Sequence, residues 1–185
     1  YRPFSEVEVA LDARAELAES PWWDTERAEL LWVDIPKGEI HHFDPASGID
    51  LSINVGQPVG TVVGRQSGGV VCAVRDGIGY ADLETGAFEL VAPVEIDRPS
   101  NRMNDGACDA GGRLWVGTMN ADLVPGAGCL YRVSADLAVD RMISPVSISN
   151  GLDWSPDGRT FYYIDSLTKQ IDAYDYEPGG GALSN

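Results

Sequence analysis

Glu19, Asn104 and Asn150 are far apart in the chain but share a spacing. Each precedes a strong strand signal, Trp32, Trp115 or Tyr162, by 11 to 13 residues. One carboxylate and two amide carbonyls are hard oxygen donors. Such a set suits Ca²⁺ or Mg²⁺ and tolerates Mn²⁺ or Zn²⁺. Arg102, two residues ahead of Asn104, adds a rigid donor fork for a polar ligand. Each residue alone has a plainer reading. Glu19 could be a solvated acid, and Arg102 could pair with Asp97 or Asp105. Asn150-Gly151 is a strong hairpin signal. The stretch "NRMNDGACDAGGRLWVGTMN", residues 101–120, opens with turn chemistry, because Asn and Asp tolerate positive φ and Gly prefers it. The common spacing is what argues for a joint site.

The elements that must position these residues are short β runs. "ELLWVDI", "KGEIHHFD", "GGVVCAV", "GIGYADL", "FELVAP", "RLWVGTM", "GCLYRVS", "TFYYIDS" and "QIDAYDY" are separated by Asp-Pro, Ser-Gly, Thr-Gly and Pro-Asp-Gly turns. Aligned on Trp32, Cys72, Trp115 and Tyr162, the anchor strands recur at intervals of 40, 43 and 47 residues, each followed by a second strand. That period predicts an all-β chain built of four-stranded β-propeller blades. A single blade cannot bury both its faces, so blades stack around an axis. Their innermost strands border a central channel, where equivalent positions meet. The second repeat carries Val59 and Gly60 at the position that Glu19, Asn104 and Asn150 occupy in the others.

Composition narrows the partners. The formal charge of −16 repels phosphate backbones and anionic lipid, which argues against nucleic acid and membrane partners. No apolar run approaches the ~20 residues of a membrane helix. The start, "YRPFSEVEVALDARAELAESP", has no apolar stretch of the secretory kind. Three cysteines, none in a CxxC pair, fit reduced thiols and a cytoplasmic location. His41 and His42 are strand neighbours and point to opposite faces, so they do not chelate one metal together. No Ser or Cys nucleophile motif and no phosphate loop is present. The five Trp read as core or blade-interface residues.

The segments "ELAESPWWD", "LLWVDI", "RQSGG", "NRMNDGACDAGGRLWVGTM" and "ISNGLDWSPDGRTFYYIDSLTKQIDAYDYE" resemble the regucalcin/gluconolactonase family, also called senescence marker protein. The resemblance implies a six-bladed β-propeller with one divalent metal ion (Ca, Zn, Mn or Mg) in its channel. Residues 1–185 are then one propeller domain holding about four blades and incomplete at the C-terminus. The Glu of "ESP", Glu19, and the Asn of "SNGLDW", Asn150, correspond to metal ligands. Arg102 and Asn104 of "NRMND" correspond to substrate contacts, and Asp105 lines the same pocket. Asp122 stands where the family often carries a substrate-binding carboxylate, one methylene shorter than a Glu. The family's general-base Asp, also a metal ligand, is expected beyond Asn185. The implied activity is metal-dependent hydrolysis of a small-molecule sugar lactone. The alternatives are a non-catalytic calcium-binding or scaffold propeller, or a related propeller phosphotriesterase. Oligomeric state is not indicated.

Overall fold

The computed structural model describes residues 7–184. The first six residues of the chain's start and Asn185 lie outside it, as does the expected general base. All regular structure among the described residues is β. Sixteen strands form four four-stranded antiparallel sheets, each ordered as its strands occur in the chain. The first sheet holds β1 (Ala18–Asp24), β2 (Glu29–Asp34), β3 (Glu39–Asp44) and β4 (Ile49–Asn54). The second holds β5 (Val59–Gly64), β6 (Val70–Val74), β7 (Gly77–Ala81) and β8 (Phe88–Pro93). In the third are β9 (Asn101–Cys108), β10 (Leu114–Asn120), β11 (Gly128–Val133) and β12 (Val139–Val146). The fourth holds β13 (Ser149–Trp154), β14 (Thr160–Asp165), β15 (Asp172–Glu177) and β16 (Ala182–Ser184). Contacts between sheets join the first strands, β1 to β5, β5 to β9 and β9 to β13, so these line the axis. These are blades of a β-propeller, as the repeat predicts. No helix among the described residues is long and apolar enough to cross a membrane.

The core sits between blades. Leu31, Val33 and Ile40 of the first blade pack on Val59, Val62 and Cys72 of the second. The other face of the second blade, with Ala73 and Ile78, meets Met103, Leu114 and Val116 of the third. Alternate residues of β6 therefore serve two different interfaces, as a period of two requires. Every residue of β10 is buried, so its alternation of faces is hidden in the sequence by burial on both sides. Between the third and fourth blades the core is aromatic. Trp115 is fully buried, with ring centroids 5.1 Å from Phe161 and 6.0 Å from both Trp154 and Tyr176. Its indole N–H donates to Asp109 at 2.9 Å. Trp115→Ala is expected to cost about 3–5 kcal/mol of stability, measurable by denaturant unfolding. Trp23 departs from the expectation of Trp as core: it is 47% exposed.

The ladder also corrects two alignments. Trp115 pairs with Ala107, two positions short of Gly117 at the bulge, whereas Trp32 stands at the bulge of its own blade, so the two are not equivalent. Ala18 pairs with Asp34 and Ser149 with Asp165, so Tyr163 is the equivalent of Trp32. Tyr163 is buried, whereas Tyr162, one residue earlier, is 42% exposed. With the corrected anchor, Glu19 and Asn150 both stand 13 residues ahead.

His41 and His42 do face opposite ways. His41 stacks on Trp32 at 3.7 Å and meets Asp50, while His42 meets Glu29. The three cysteines are free thiols, and burial pushes Cys72 up to about 12.

Candidate functional site

All four inner strands bulge at one level. In β1 the ladder steps from Glu19 to Trp22 on one side against Val33 to Leu31 on the other. In β5 Gly60 is the extra residue between Val59 and Thr61. In β9 Asn104 and Asp105 together oppose the single position Gly117. In β13 Gly151 is extra between Asn150 and Leu152. A bulge bends its strand and re-aims a side chain that a regular ladder would send into the sheet. Asn104-Asp105-Gly106 is therefore not a turn, and Asn150-Gly151 is not a hairpin. Their local chemistry is used within strands instead, with Gly151 at φ 28°. Ser20 also takes a left-handed conformation, φ 53°, which is unusual for a residue other than Gly.

Hydrogen bonds tie the bulges together in ring order. The Ser20 and Thr61 hydroxyl oxygens are 2.5 Å apart, joining β1 to β5. Thr61 donates to the Gly106 carbonyl at 3.1 Å, joining β5 to β9. Asn104 Nδ2 donates to the Ser149 carbonyl at 2.7 Å, joining β9 to β13. In the second blade a side chain at the bulge has no room. A Cβ on Gly60 would overlap the Asn104 and Met103 carbonyls. This is why that repeat shows no polar residue at the position.

Glu19 is exposed, Asn104 is buried, and Arg102, Asp105 and Asn150 are half-buried. Arg102 Nη1 donates to Asn104 Oδ1 at 2.7 Å and to the Met103 carbonyl at 2.9 Å, in place of an ion pair with Asp97 or Asp105. Burial lowers the pKa of the Arg102 guanidinium, and the nearby Glu19 charge opposes that effect. The Glu19 carboxylate of the first blade is thus within electrostatic reach of the guanidinium of the third. Burial raises the pKa of the Asp105 carboxyl, against the Gly106 and Gly151 amides that favour its charged form. Asn150 Nδ2 donates to Ser166 Oγ at 3.1 Å, which orients the amide, and its Oδ1 accepts from the Gly151 amide at 3.2 Å. Arg102 bonds Asn104, while Asn104 and Asp105 reach the backbone carbonyl and amide on either side of Asn150. Glu19 joins them only through its charge on Arg102. Asp122 stands apart. It is exposed in the turn after β10, with its N–H held by Asn120 Oδ1 at 3.0 Å.

The comparisons with known proteins agree with the propeller fold. The family model described as "SMP-30/Gluconolactonase/LRE-like region" matches residues 17–185. The chain belongs to that family. Regucalcin of Danio rerio is 39% identical over 181 residues, which cover 97% of this chain and 61% of the relative. Regucalcin of Xenopus laevis is 37% identical over 184 residues, covering 97% and 62%. A solved structure of the calcium-binding protein regucalcin from Agrobacterium tumefaciens superposes with a TM-score of 0.88 at 30% identity, over 92% of this chain and 58% of that one. The chain spans about three fifths of the length of the curated relatives it matches.

Within this SMP-30/gluconolactonase chain, the donor chemistry of Glu19 and Asn150 fits a hard divalent cation. Two donors fall short of the six to eight oxygens that Ca²⁺ takes. No three of His, Cys, Asp and Glu gather into a metal-holding group among the described residues. Waters and residues outside the described ones would have to complete the set. The sequence reading missed the residues that hold the bulges: Ser20, Thr61 and Ser149 across the ring, and Asp34 and Asp165 within their blades. The recurring "WVD" and "YID" at the ends of β2 and β14 were the available signal for the last two.

Proposed function

We propose that this chain is part of a six-bladed propeller enzyme that hydrolyses a sugar lactone with the help of one divalent metal ion. The observation that carries the proposal is the row of four bulged inner strands, bonded one to the next, whose bulges lie at or beside Glu19, Asn104, Asp105 and Asn150. The family description, which names gluconolactonase, supports the reading.

Glu19 and Asn150 would hold the ion, whether Ca²⁺, Zn²⁺, Mn²⁺ or Mg²⁺. When bound, such an ion polarises the lactone carbonyl and makes a bound water more acidic. Arg102 and Asn104 would orient the sugar hydroxyls, and the bond between them fixes the donor fork before substrate arrives. Asp105 would line the same pocket, half-buried beside the bulge of β13. Asp122, on its exposed turn, would meet the substrate from the rim. The residue that takes the proton from water is assigned beyond position 185.

The test is acid release from glucono-, galactono- and xylono-lactones by the full-length protein, after chelation and with each ion restored. Turnover is expected to vanish with chelator and return with at least one ion. Turnover of none of these lactones, in a folded full-length protein that still binds Ca²⁺, would leave the binding-only reading ahead.

A further inference from the structure

In each blade the second strand ends opposite the residue where the inner strand enters. The pairs are Ala18 with Asp34, Val59 with Val74, Asn101 with Asn120 and Ser149 with Asp165. Two of these ends carry the same arrangement. Asp34 Oδ2 accepts from the Glu16 amide at 2.9 Å and its Oδ1 from the Leu17 amide at 3.1 Å. Asp165 Oδ2 accepts from the Ser147 amide at 2.8 Å and its Oδ1 from the Ile148 amide at 2.9 Å. In both blades the amides belong to residues three and two positions before the candidate metal ligand, Glu19 or Asn150. Both carboxylates are buried. The second blade, whose bulge carries Gly60, has Val74 at this position.

We propose that Asp34 and Asp165 are positioning residues for the metal ion, acting through Glu19 and Asn150 without touching it. A carboxylate that accepts from two successive amides fixes the path of the chain just before the strand begins. The bulge follows within two residues, so the same clamp sets where the ligand oxygen stands. Each carboxylate takes one further donor on an oxygen already in the clamp, Asp34 Oδ2 from Lys37 at 2.8 Å and Asp165 Oδ1 from the Leu167 amide at 3.2 Å. An Asn side chain of the same shape sets an NH2 donor where one carboxylate oxygen stood, so one of the two amides then faces a donor and loses its acceptor. The inference rests on the metal reading given under Proposed function.

The experiment is calorimetric titration of the chelated full-length protein with Ca²⁺ and, separately, with Mn²⁺. Asp34→Asn and Asp165→Asn are each expected to weaken binding by about 10–100-fold, the range for groups that orient metal ligands. Asp109→Asn is the control. That carboxylate is equally buried but lies beyond the opposite end of β9, where it holds Trp115 and Tyr176. Its loss should lower the unfolding midpoint and leave affinity within about twofold of the parent, well below the loss expected of the clamp variants. Should the Asn variants not fold, Asp34→Glu and Asp165→Glu keep the charge but displace the clamp by one methylene, and carry the same expectation. Unchanged affinity in the clamp variants, with affinity lost in Glu19→Gln and Asn150→Ala, overturns the proposal and spares the site reading. Unchanged affinity in all four overturns both.

Discussion

Asn150→Ala in the full-length protein should lower kcat/KM for the lactone by at least about 10²-fold, on the scale of losing one preorganised polar group at a reacting centre, and should weaken divalent-cation binding in step. The fold should barely register the change. Asn150 is half-buried and packs in no apolar cluster. Its bonds run to Ser166 Oγ and to its own neighbour's amide. Losing them costs about 1 kcal/mol. A large kinetic loss beside a small stability loss is the signature of a residue held for chemistry. Paired kinetics, Ca²⁺ titration and denaturant unfolding make the comparison. Retained turnover with retained affinity would remove Asn150 from the site, and the oxygen donors would then have to be sought elsewhere on the channel wall.

How far such a site can be read from a sequence depends on what sets each feature. The blades were legible because hydrophobic strands and turn residues recur along one dimension. The outer strands β4, β12 and β16 were faint for the same reason, being largely exposed and carrying little apolar pattern. The shared position of Glu19 and Asn150 was legible through spacing, since both stand one residue into their inner strands; Asn104 stands further along, in the bulge of β9 itself. The bulges were not legible. They are set by how closely neighbouring inner strands approach, as at Gly60 beneath the Asn104 carbonyl. The same local chemistry serves turn and bulge alike, which is why Asn150-Gly151 reads as a hairpin in isolation. The one-residue error at Tyr162 has a related cause. In "FYYID" two adjacent tyrosines leave the alternation undecided until the ladder shows which is buried. Asp34 and Asp165 look like solvated strand-end acids until the entering amides are seen against them.

The dependence of site on strand approach leads to Gly60→Ala. The substitution adds one carbon, yet it should cost about 1–3 kcal/mol of stability and lower the proposed lactonase kcat/KM by about 10–10²-fold through misplacement of Arg102 and Asn104, the proposed substrate contacts. No positive φ is involved at Gly60; the constraint is space alone. The atoms a Cβ would overlap are the backbone carbonyls of Met103 and Asn104, which cannot swing aside as a flexible side chain would. Either β5 or β9 has to give way. Movement of β9 displaces Arg102 and Asn104 directly. Movement of β5 strains the Ser20–Thr61–Gly106 chain of hydrogen bonds that links the first blade, with Glu19, to the third. Both routes reach the site. Val62→Ala separates a local effect from a general loss of stability. Val62 is on the same strand and fully buried, but it packs between the first and second blades, away from β9. If the two variants lose similar stability and only Gly60→Ala loses turnover, the close approach of β5 to β9 is what holds the site in register. If both lose turnover alike, activity tracks overall stability, and the second blade has no special part in shaping the channel.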